Sequence, residues 1–396
     1  MNVTVRLGDS LWAYSELFKL PVELIADSNP HIAPQSLFVG QTIVIPGYTT
    51  RNYTIASGDT LWSIAASAGV PIDALRLLNP GLLDNSLQVA RIIQIPVKVR
   101  NRVVLDPKSY NYADLLSDLQ ALVRLYPFIR QGSIGLTVMG KSLPEIRVGR
   151  GSRQIHANGS FHGNEWITTP ALIAFLNDYL IALTNEGELR GIAVKPLYNT
   201  IMLSIVPMVN PDGVDLVVNG LPDAEPYRSE VLAINGGSTD FNGWKANIRG
   251  VDLNNQFPAL WAEEAARGPR TPAPRDYAGT APLTEPESIA MAELLRNRNF
   301  EQVQAYHTQG EVIYWGFQGL QPPETERLAA KYGDVSGYVP IETADSSAGF
   351  KDWFIQDWRR PGFTIEGGRG NNPLPITQLA SITDAATAIL LAAMTS

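Results

Sequence analysis

The first quarter of the chain is written twice. Gly8-Asp-Ser-Leu-Trp12 returns as Gly58-Asp-Thr-Leu-Trp62, Asn29-Pro30 as Asn79-Pro80, and Ile43-Val-Ile-Pro46 as Ile93-Gln-Ile-Pro96, each displaced by fifty positions. A fixed period of that size marks a tandem pair of small modules. In both, a short strand (Val3 to Val5, Tyr53 to Ile55) leads into a Gly-Asp-Ser/Thr turn that caps a helix, followed by a second helix and a closing strand. Asp9 or Ser10, and Asp59 or Thr60, are placed to accept from the free amides of the first helix. Each module has fewer than fifty residues and the chain has no cysteine, so a small apolar core must hold each together without disulfides or thiolate metal sites. Trp12 and Trp62, next after the capped turn, are expected to face inward.

At 396 residues the chain has room for two or three domains, and 45% hydrophobic with 18% charged residues supports packed cores rather than disorder. The net charge of −8 argues against broad electrostatic binding to nucleic acid. No apolar run is expected to span a bilayer, and Met1-Asn-Val-Thr-Val-Arg6 lacks the basic and apolar regions of a secretion signal, so no membrane partner is expected. The polar, basic segment Val97-Lys-Val-Arg-Asn-Arg102 separates the repeats from the remainder, giving expected domains at 1–48, 49–98 and 99–396. Downstream, the leucines of Tyr112 to Tyr126 fall at helical spacing and stop before Pro127. Strand-like runs at Ser133–Val138, Glu145–Val148, Met202–Val209, Val303–Tyr306 and Gly362–Ile365 alternate with helical patterns, which predicts a mixed α/β sheet with helices on both faces.

In that part Gln154-Ile-His-Ala-Asn158 reads as a buried strand end and Pro170 to Leu176 as an apolar helix. The turn between them carries His162 and Glu165. Turns at the carboxyl ends of strands in open α/β sheets open onto crevices, where ligands bind. Zinc accepts imidazole nitrogen and carboxylate oxygen, and a catalytic zinc needs three protein ligands and an open position. The third ligand is to be found among His31, His156 and His307, and His307 also follows a strand-like run. A lone His-x-x-Glu is more often a capping acid beside a solvated histidine, so further landmarks must decide.

Those landmarks follow in order: Asn210-Pro-Asp-Gly213, Gly250-Val-Asp-Leu-Asn254, Thr280 to Glu287, His307 and Thr364-Ile-Glu366. Together with His162-x-x-Glu165 they resemble the zinc metallocarboxypeptidase family, peptidase family M14, from about Tyr112 to the end. The two repeats resemble LysM domains over residues 3–46 and 53–96. The combination is similar to bacterial γ-D-glutamyl-meso-diaminopimelate peptidases. The resemblance implies one Zn2+ per chain held by His162, Glu165 and His307, with Glu366 as general base. It implies an oxyanion-stabilising cation as well. The family's arginine follows a tryptophan; here Trp244 is followed by Lys245, with Arg249 nearby, and either can serve.

For the repeats, the LysM resemblance implies partners in the glycan strands of peptidoglycan, bound by two shallow grooves. These would be formed by Gly8, Asp9, Ser10 and Leu11 with Asn29, Pro30, His31 and Ile32, and by Gly58, Asp59, Thr60 and Leu61 with Asn79, Pro80, Gly81 and Leu82. Two departures from the carboxypeptidase pattern bear on specificity. Many carboxypeptidases grip the substrate's terminal carboxylate with Asn-Arg, whereas this chain has Asn254-Asn255 and lacks that bidentate clamp. No tyrosine occupies the family's mobile-loop position near Ala344, and Asp345 is expected to meet the amino group of diaminopimelate instead. The expected activity is hydrolysis of the γ-D-glutamyl-meso-diaminopimelate amide in muropeptides. The alternatives are a conventional metallocarboxypeptidase and a non-catalytic wall-binding adaptor. A bacterial protein of this kind would be cytoplasmic or associated with the spore or cell wall.

Overall fold

In the first repeat of the computed structural model, β1 (Asn2–Thr4) pairs antiparallel with β2 (Thr42–Val44), and α1 (Leu11–Phe18) and α2 (Val22–Asp27) lie between them in the chain. The second repeat has the same order: β3 (Tyr48–Thr54), α3 (Leu61–Ala68), α4 (Ile72–Leu78) and β4 (Ile92–Lys98), with β3 antiparallel to β4. The structure describes residues 1–32, 37–83, 87–104, 107–185, 187–343 and 346–396. Ser10 caps α1 by accepting from the amide of Ala13 at 3.0 Å, and Thr60 caps α3 in a reciprocal box with Ser63. The acids of the same turns bind elsewhere: Asp9 accepts from the amide of Arg6 and the hydroxyl of Tyr14, and Asp59 from the amide of Ala56 and the hydroxyl of Tyr53.

The expectation for the two tryptophans is corrected. Trp12 is 68% exposed and Trp62 72%. The buried stripe of α1 is Leu11, Tyr14 and Phe18, and that of α3 begins at Leu61 and Ile64, so the next residue after each leucine is turned about 100° away from the core. Asn29 is buried and staples its module, donating to the carbonyls of Ile25 (2.8 Å) and Val44 (2.9 Å) and accepting from the amide of Val44 (2.8 Å). Asn79 repeats this with Leu75 and Gln94. Asn29→Ala is therefore expected to cost about 3 kcal/mol, because it orphans buried backbone groups. Trp12→Ala should stay within about 0.5 kcal/mol. Paired urea melts check the contrast, and equal losses would contradict it.

The chain divides into two compact units. The first comprises Met1–Val104 with Leu119–Arg130 and Asn177–Lys195, and the second holds the rest. Within the first, Ala74 and Leu77 of α4 join the core of the first repeat, beside Val3, Leu11 and Ile43. Gly47 donates to the carbonyl of Leu125 at 2.9 Å, and Asn177 accepts from the amides of Val103 and Val104.

After the repeats the elements run α5 (Tyr112–Leu125), β5 (Arg130–Leu136), β6 (Ser142–Gly149), β7 (Arg153–Gly159), α6 (Thr168–Thr184), β8 (Glu188–Leu189), β9 (Ile192–Ala193), α7 (Val194–Thr200) and β10 (Ile201–Val206). Four helices follow: α8 (Pro211–Asn219), α9 (Tyr227–Ile234), α10 (Trp261–Arg267) and α11 (Pro286–Asn297). The chain closes with β11 (Phe300–His307), β12 (Val312–Tyr314), α12 (Glu324–Ser336), β13 (Val339–Ile341), α13 (Phe350–Trp358), β14 (Gly362–Glu366) and α14 (Leu379–Met394).

One eight-stranded sheet has the order β13-β12-β14-β11-β7-β10-β6-β5, parallel through β14, β11, β7 and β10 and antiparallel where β10 meets β6 and β12 meets β14. The central strands are buried almost throughout, as parallel strands covered on both faces must be. This is the mixed α/β sheet expected. Phe161, Phe257, Met291, Phe350 and Trp353 belong to one apolar core against it. Two stretches, Gly163–Thr184 and Ile376–Met394, are long and apolar enough to cross a membrane, contrary to the expectation that none would be. Their apolar windows are 89% and 61% buried in the folded chain, so packing accounts for much of the composition.

Candidate metal centre and active site

Four adjacent parallel strands end at one edge of the sheet, and the polar landmarks lie at those ends. β7 runs into the turn that carries His162 and Glu165, and β11 ends on His307. β14 ends on Glu366, the register partner of His307. Nδ1 of His162 lies 2.9 Å from one Glu165 oxygen, and Nδ1 of His307 lies 3.0 Å from the other. The two Nδ1 atoms are 3.2 Å apart. All three side chains are buried, and their ligand atoms fall within 4.8 Å of one another. Two imidazole nitrogens at that separation repel unless a proton or cation sits between them. Nε2 of His162 faces Asp252 Oδ1 at 3.2 Å, the outer carboxylate that fixes the ring of a metal-binding histidine. Glu165 is oriented by Asn372 Nδ2 (3.3 Å) and the amide of Thr308 (3.3 Å). The donor set is one that zinc accepts.

Electrostatics match the geometry. Burial opposes the His162 imidazolium, but Glu165 and Asp252 outweigh it and raise the ring to about 9. Burial also works against ionising Glu165 and Asp252, yet the adjoining imidazoles, with Lys245 beside Asp252, hold both carboxyls well below the usual range. Glu366 goes the other way: burial and the Glu165 carboxylate push it up to about 8.

Two cavities adjoin the trio, and both are lined by His162, Lys245, Tyr314 and Glu366. The first, about 390 Å³, adds Glu165, Arg275, Thr308 and Asn372. The second, about 320 Å³, adds His307, Asn254, Asn255, Glu264, Lys351 and Asp352. A larger cavity of about 710 Å³ beside Phe18, Tyr48 and Lys98 has no histidine or carboxylate in its lining, so volume alone does not locate chemistry. Of the two candidate cations, Lys245 lines both cavities at the trio, 3.8 Å from Asp252. Arg249 lines neither; it is half exposed and lies 3.6 Å from Glu285. Asn254 and Asn255 line the second cavity. Asp345 lies outside the described residues. His156 is buried against Ser204 and Asn158, and His31 is exposed in the first repeat, so neither joins the trio.

In the repeats, Leu11, Asn29, Ile32, Leu61 and Leu82 are buried, and Asp9, Ser10, Asp59 and Asn79 are partly so. Gly8, Pro30, His31, Gly58, Thr60, Pro80 and Gly81 are exposed. Sequence reasoning gave no role to Asp252, Asn372, Arg275, Lys351 or Glu264. Asp252 stands inside the Gly250–Asn254 landmark, which was a usable signal. The others had none.

The Asn-Pro-Asp-Gly landmark explains how the turn carrying His162 and Glu165 is held. Asn210 donates to the carbonyls of Phe161 (3.1 Å) and Ala246 (3.0 Å) and caps α8 at Gly213. Gly163 donates to the carbonyl of Lys245. A methyl on Gly163 would come within 2.6 Å of the Gly213 carbonyl oxygen. Gly163→Ala is therefore expected to weaken zinc binding about ten-fold or more; unchanged affinity in competition with a chromogenic chelator would contradict this packing.

Behind the same segment, Glu285 and Glu287 receive the amide of Asn247, and burial, with Asp212 and Glu285 nearby, raises Glu287 to about 7. The folded chain thus keeps a proton that the unfolded chain releases above about 4.5. Stability should fall as pH rises from about 4.5 through about 7. In Glu287→Gln that decline should be reduced. Parallel melting curves with the same pH slope would exclude Glu287 as its source.

Comparisons with known proteins bear on this site. The zinc carboxypeptidase family profile matches residues 115–382, and the LysM domain profile matches 3–46 and 53–96. The γ-D-glutamyl-L-diamino acid endopeptidase 1 of Lysinibacillus sphaericus is 58% identical over 394 residues, covering 100% of both chains. Bovine thrombin-activatable fibrinolysis inhibitor superposes with a TM-score of 0.57 at 18% identity, covering 72% of this chain and 96% of that one. Carboxypeptidase A of Helicoverpa armigera gives 0.55 at 17%, covering 89% and 98%. The two solved structures are similar in fold.

Proposed function

The chain belongs to the zinc carboxypeptidase family, carries two LysM domains and is a zinc-dependent peptidase, and we propose that it hydrolyses the γ-D-glutamyl-meso-diaminopimelate amide of peptidoglycan stem peptides. The observation that carries this reading is the end-to-end similarity to an enzyme named for cleaving γ-D-glutamyl-L-diamino acid bonds. His162, Glu165 and His307 would hold the zinc. When bound, zinc supplies a Lewis acid that polarises the scissile carbonyl and acidifies water.

Glu366 takes a proton from the attacking water and returns it to the leaving nitrogen. The water oxygen becomes part of the released glutamyl carboxylate, and the diamino acid departs as an amine. The Lys245 ammonium pairs with the carbonyl oxygen as negative charge develops there. Asn254 and Asn255 offer single hydrogen bonds to substrate carboxylates in place of a bidentate arginine. The LysM domains associate the chain with the cell wall and raise the local concentration of substrate. Gly8, Pro30 and His31, with Gly58, Thr60, Pro80 and Gly81, are the exposed residues among those proposed to meet glycan.

Incubation with L-Ala-γ-D-Glu-meso-diaminopimelate should yield L-Ala-D-Glu and free diaminopimelate by mass spectrometry. The products should vanish with a chelator and return with zinc. Release of alanine instead would refute the bond assignment.

A further inference from the structure

The cavity of about 710 Å³ in the first unit lies where the two repeats meet. Its lining sets residues of one repeat against their copies fifty positions on: Phe18 with Ala68, Lys19 with Gly69, and Tyr48 with Lys98. The space exists because the module is paired. Lys19 and Gly69 both end their helices in left-handed backbone, at φ 49° and 64°, a conformation that glycine adopts freely and lysine does not. Tyr48 and Lys98 are register partners on β3 and β4. The Lys98 ammonium lies 5.6 Å from the centre of the Tyr48 ring and donates to the Lys19 carbonyl at 3.2 Å. Arg100 adds a third cation to the lining.

These charges are not balanced from within. No acid lines the cavity, and no ion pair joins Lys19, Lys98 or Arg100 to a carboxylate among the described residues. The last turns of α1 and α3 border the cavity and bring at most about half a negative charge each. Three full positive charges exceed that. Burial, with Arg100 and Lys19 alongside, pushes the Lys98 ammonium down to about 8. In a chain of net charge −8, three unanswered cations around one cavity make a local field for anions. Leu17, Val70 and Val97 give the cavity apolar walls as well, and its volume falls in the range of small-ligand sites, roughly 300–1,000 Å³.

We propose that this cavity between the repeats binds the stem peptide of peptidoglycan, its carboxylates meeting Lys19, Lys98 and Arg100 and its methyl and methylene groups meeting the apolar walls. This rests on the reading that the repeats hold peptidoglycan. A stem with γ-linked D-glutamate leaves the glutamate α-carboxylate free, and diaminopimelate adds carboxylates of its own, so the peptide is a multiple anion with short apolar stretches. It is also already tied to the glycan that the repeats would hold. Binding of the two parts of one polymer at neighbouring sites raises the overall affinity without any stronger single contact. The repeats then favour wall that still carries its peptides, which is the wall on which the catalytic domain can act.

The test measures sedimentation of the full-length zinc protein with two insoluble polymers: peptidoglycan freed of phosphate-bearing wall polymers, and the same material stripped of its stem peptides by an amidase. Glu366→Gln serves as the parent so that stems stay intact, which mass spectrometry verifies. Arg100→Glu reverses an exposed charge and Lys98→Met removes the partly buried one while keeping its stem, with melting temperatures to verify folding. The parent should bind the stem-bearing polymer at least about ten-fold more tightly than the stripped one, and both variants should lose that preference while binding stripped glycan as before. In the active chain the same two substitutions should leave kcat/KM for a soluble tripeptide unchanged. Equal affinity of the parent for both polymers, or an unchanged preference in the folded variants, overturns the site. So does a preference that appears only when phosphate-bearing polymers are left on the wall. A stem preference lost in the variants, with no binding of stripped glycan by any of the proteins, would uphold the site and refute glycan recognition by the repeats.

Discussion

Glu366→Gln is expected to retain zinc and to lower kcat by about two to four orders of magnitude, the usual cost of losing a general base. Glutamine matches the carboxylate in shape, so the β11–β14 register and the neighbouring ligands should persist. What disappears is the capacity to accept a proton. Glu366 is placed for that role, since among the described residues it is the one carboxylate lining both cavities. Zinc content by plasma mass spectrometry and single-turnover rates separate the two effects. Normal zinc with a normal rate would remove Glu366 from the mechanism.

His307→Ala is expected to lose the metal, and activity with it. Three donors converge within 4.8 Å, and deleting one leaves an imidazole and a carboxylate, fewer than a catalytic zinc requires. The deletion is made at the end of a buried strand, beside Phe161, whose ring is stacked on His307 at 6.0 Å. A moderate loss of stability should accompany it. After dialysis the parent protein should hold about one zinc per chain and the variant almost none. Stoichiometric zinc in the variant would mean that another donor completes the site.

The chemistry was legible in the sequence because it sits where local patterns are strongest. His162, Glu165, His307 and Glu366 follow short apolar runs, and short apolar runs become the central strands of a sheet whose ends share one edge. Small motifs in a fixed order were enough to gather them. Lys351-Asp352 illustrates what was not legible. In the sequence it is a charged pair in the first turn of a helix, and only the packing of α13 against β11 and β14 makes it an interior feature. Trp12 failed in the opposite direction: large and apolar, it was assigned inward, but a single residue of helical phase turns it to the surface. Asn29 reads as a turn residue, and its buried bonds to Val44 join positions fifteen residues apart. Burial of polar groups and exposure of apolar ones are settled by tertiary packing, which residue type does not encode.

The most direct measurement compares L-Ala-γ-D-Glu-meso-diaminopimelate with its α-linked isomer and with a plain L-tripeptide, at equal concentration, using the zinc-loaded full chain. The γ-linked substrate should be cleaved at the glutamyl-diaminopimelate bond, with the other two nearly inert. Release of the C-terminal residue from the plain peptide at a comparable rate would contradict the account and make the protein an ordinary carboxypeptidase.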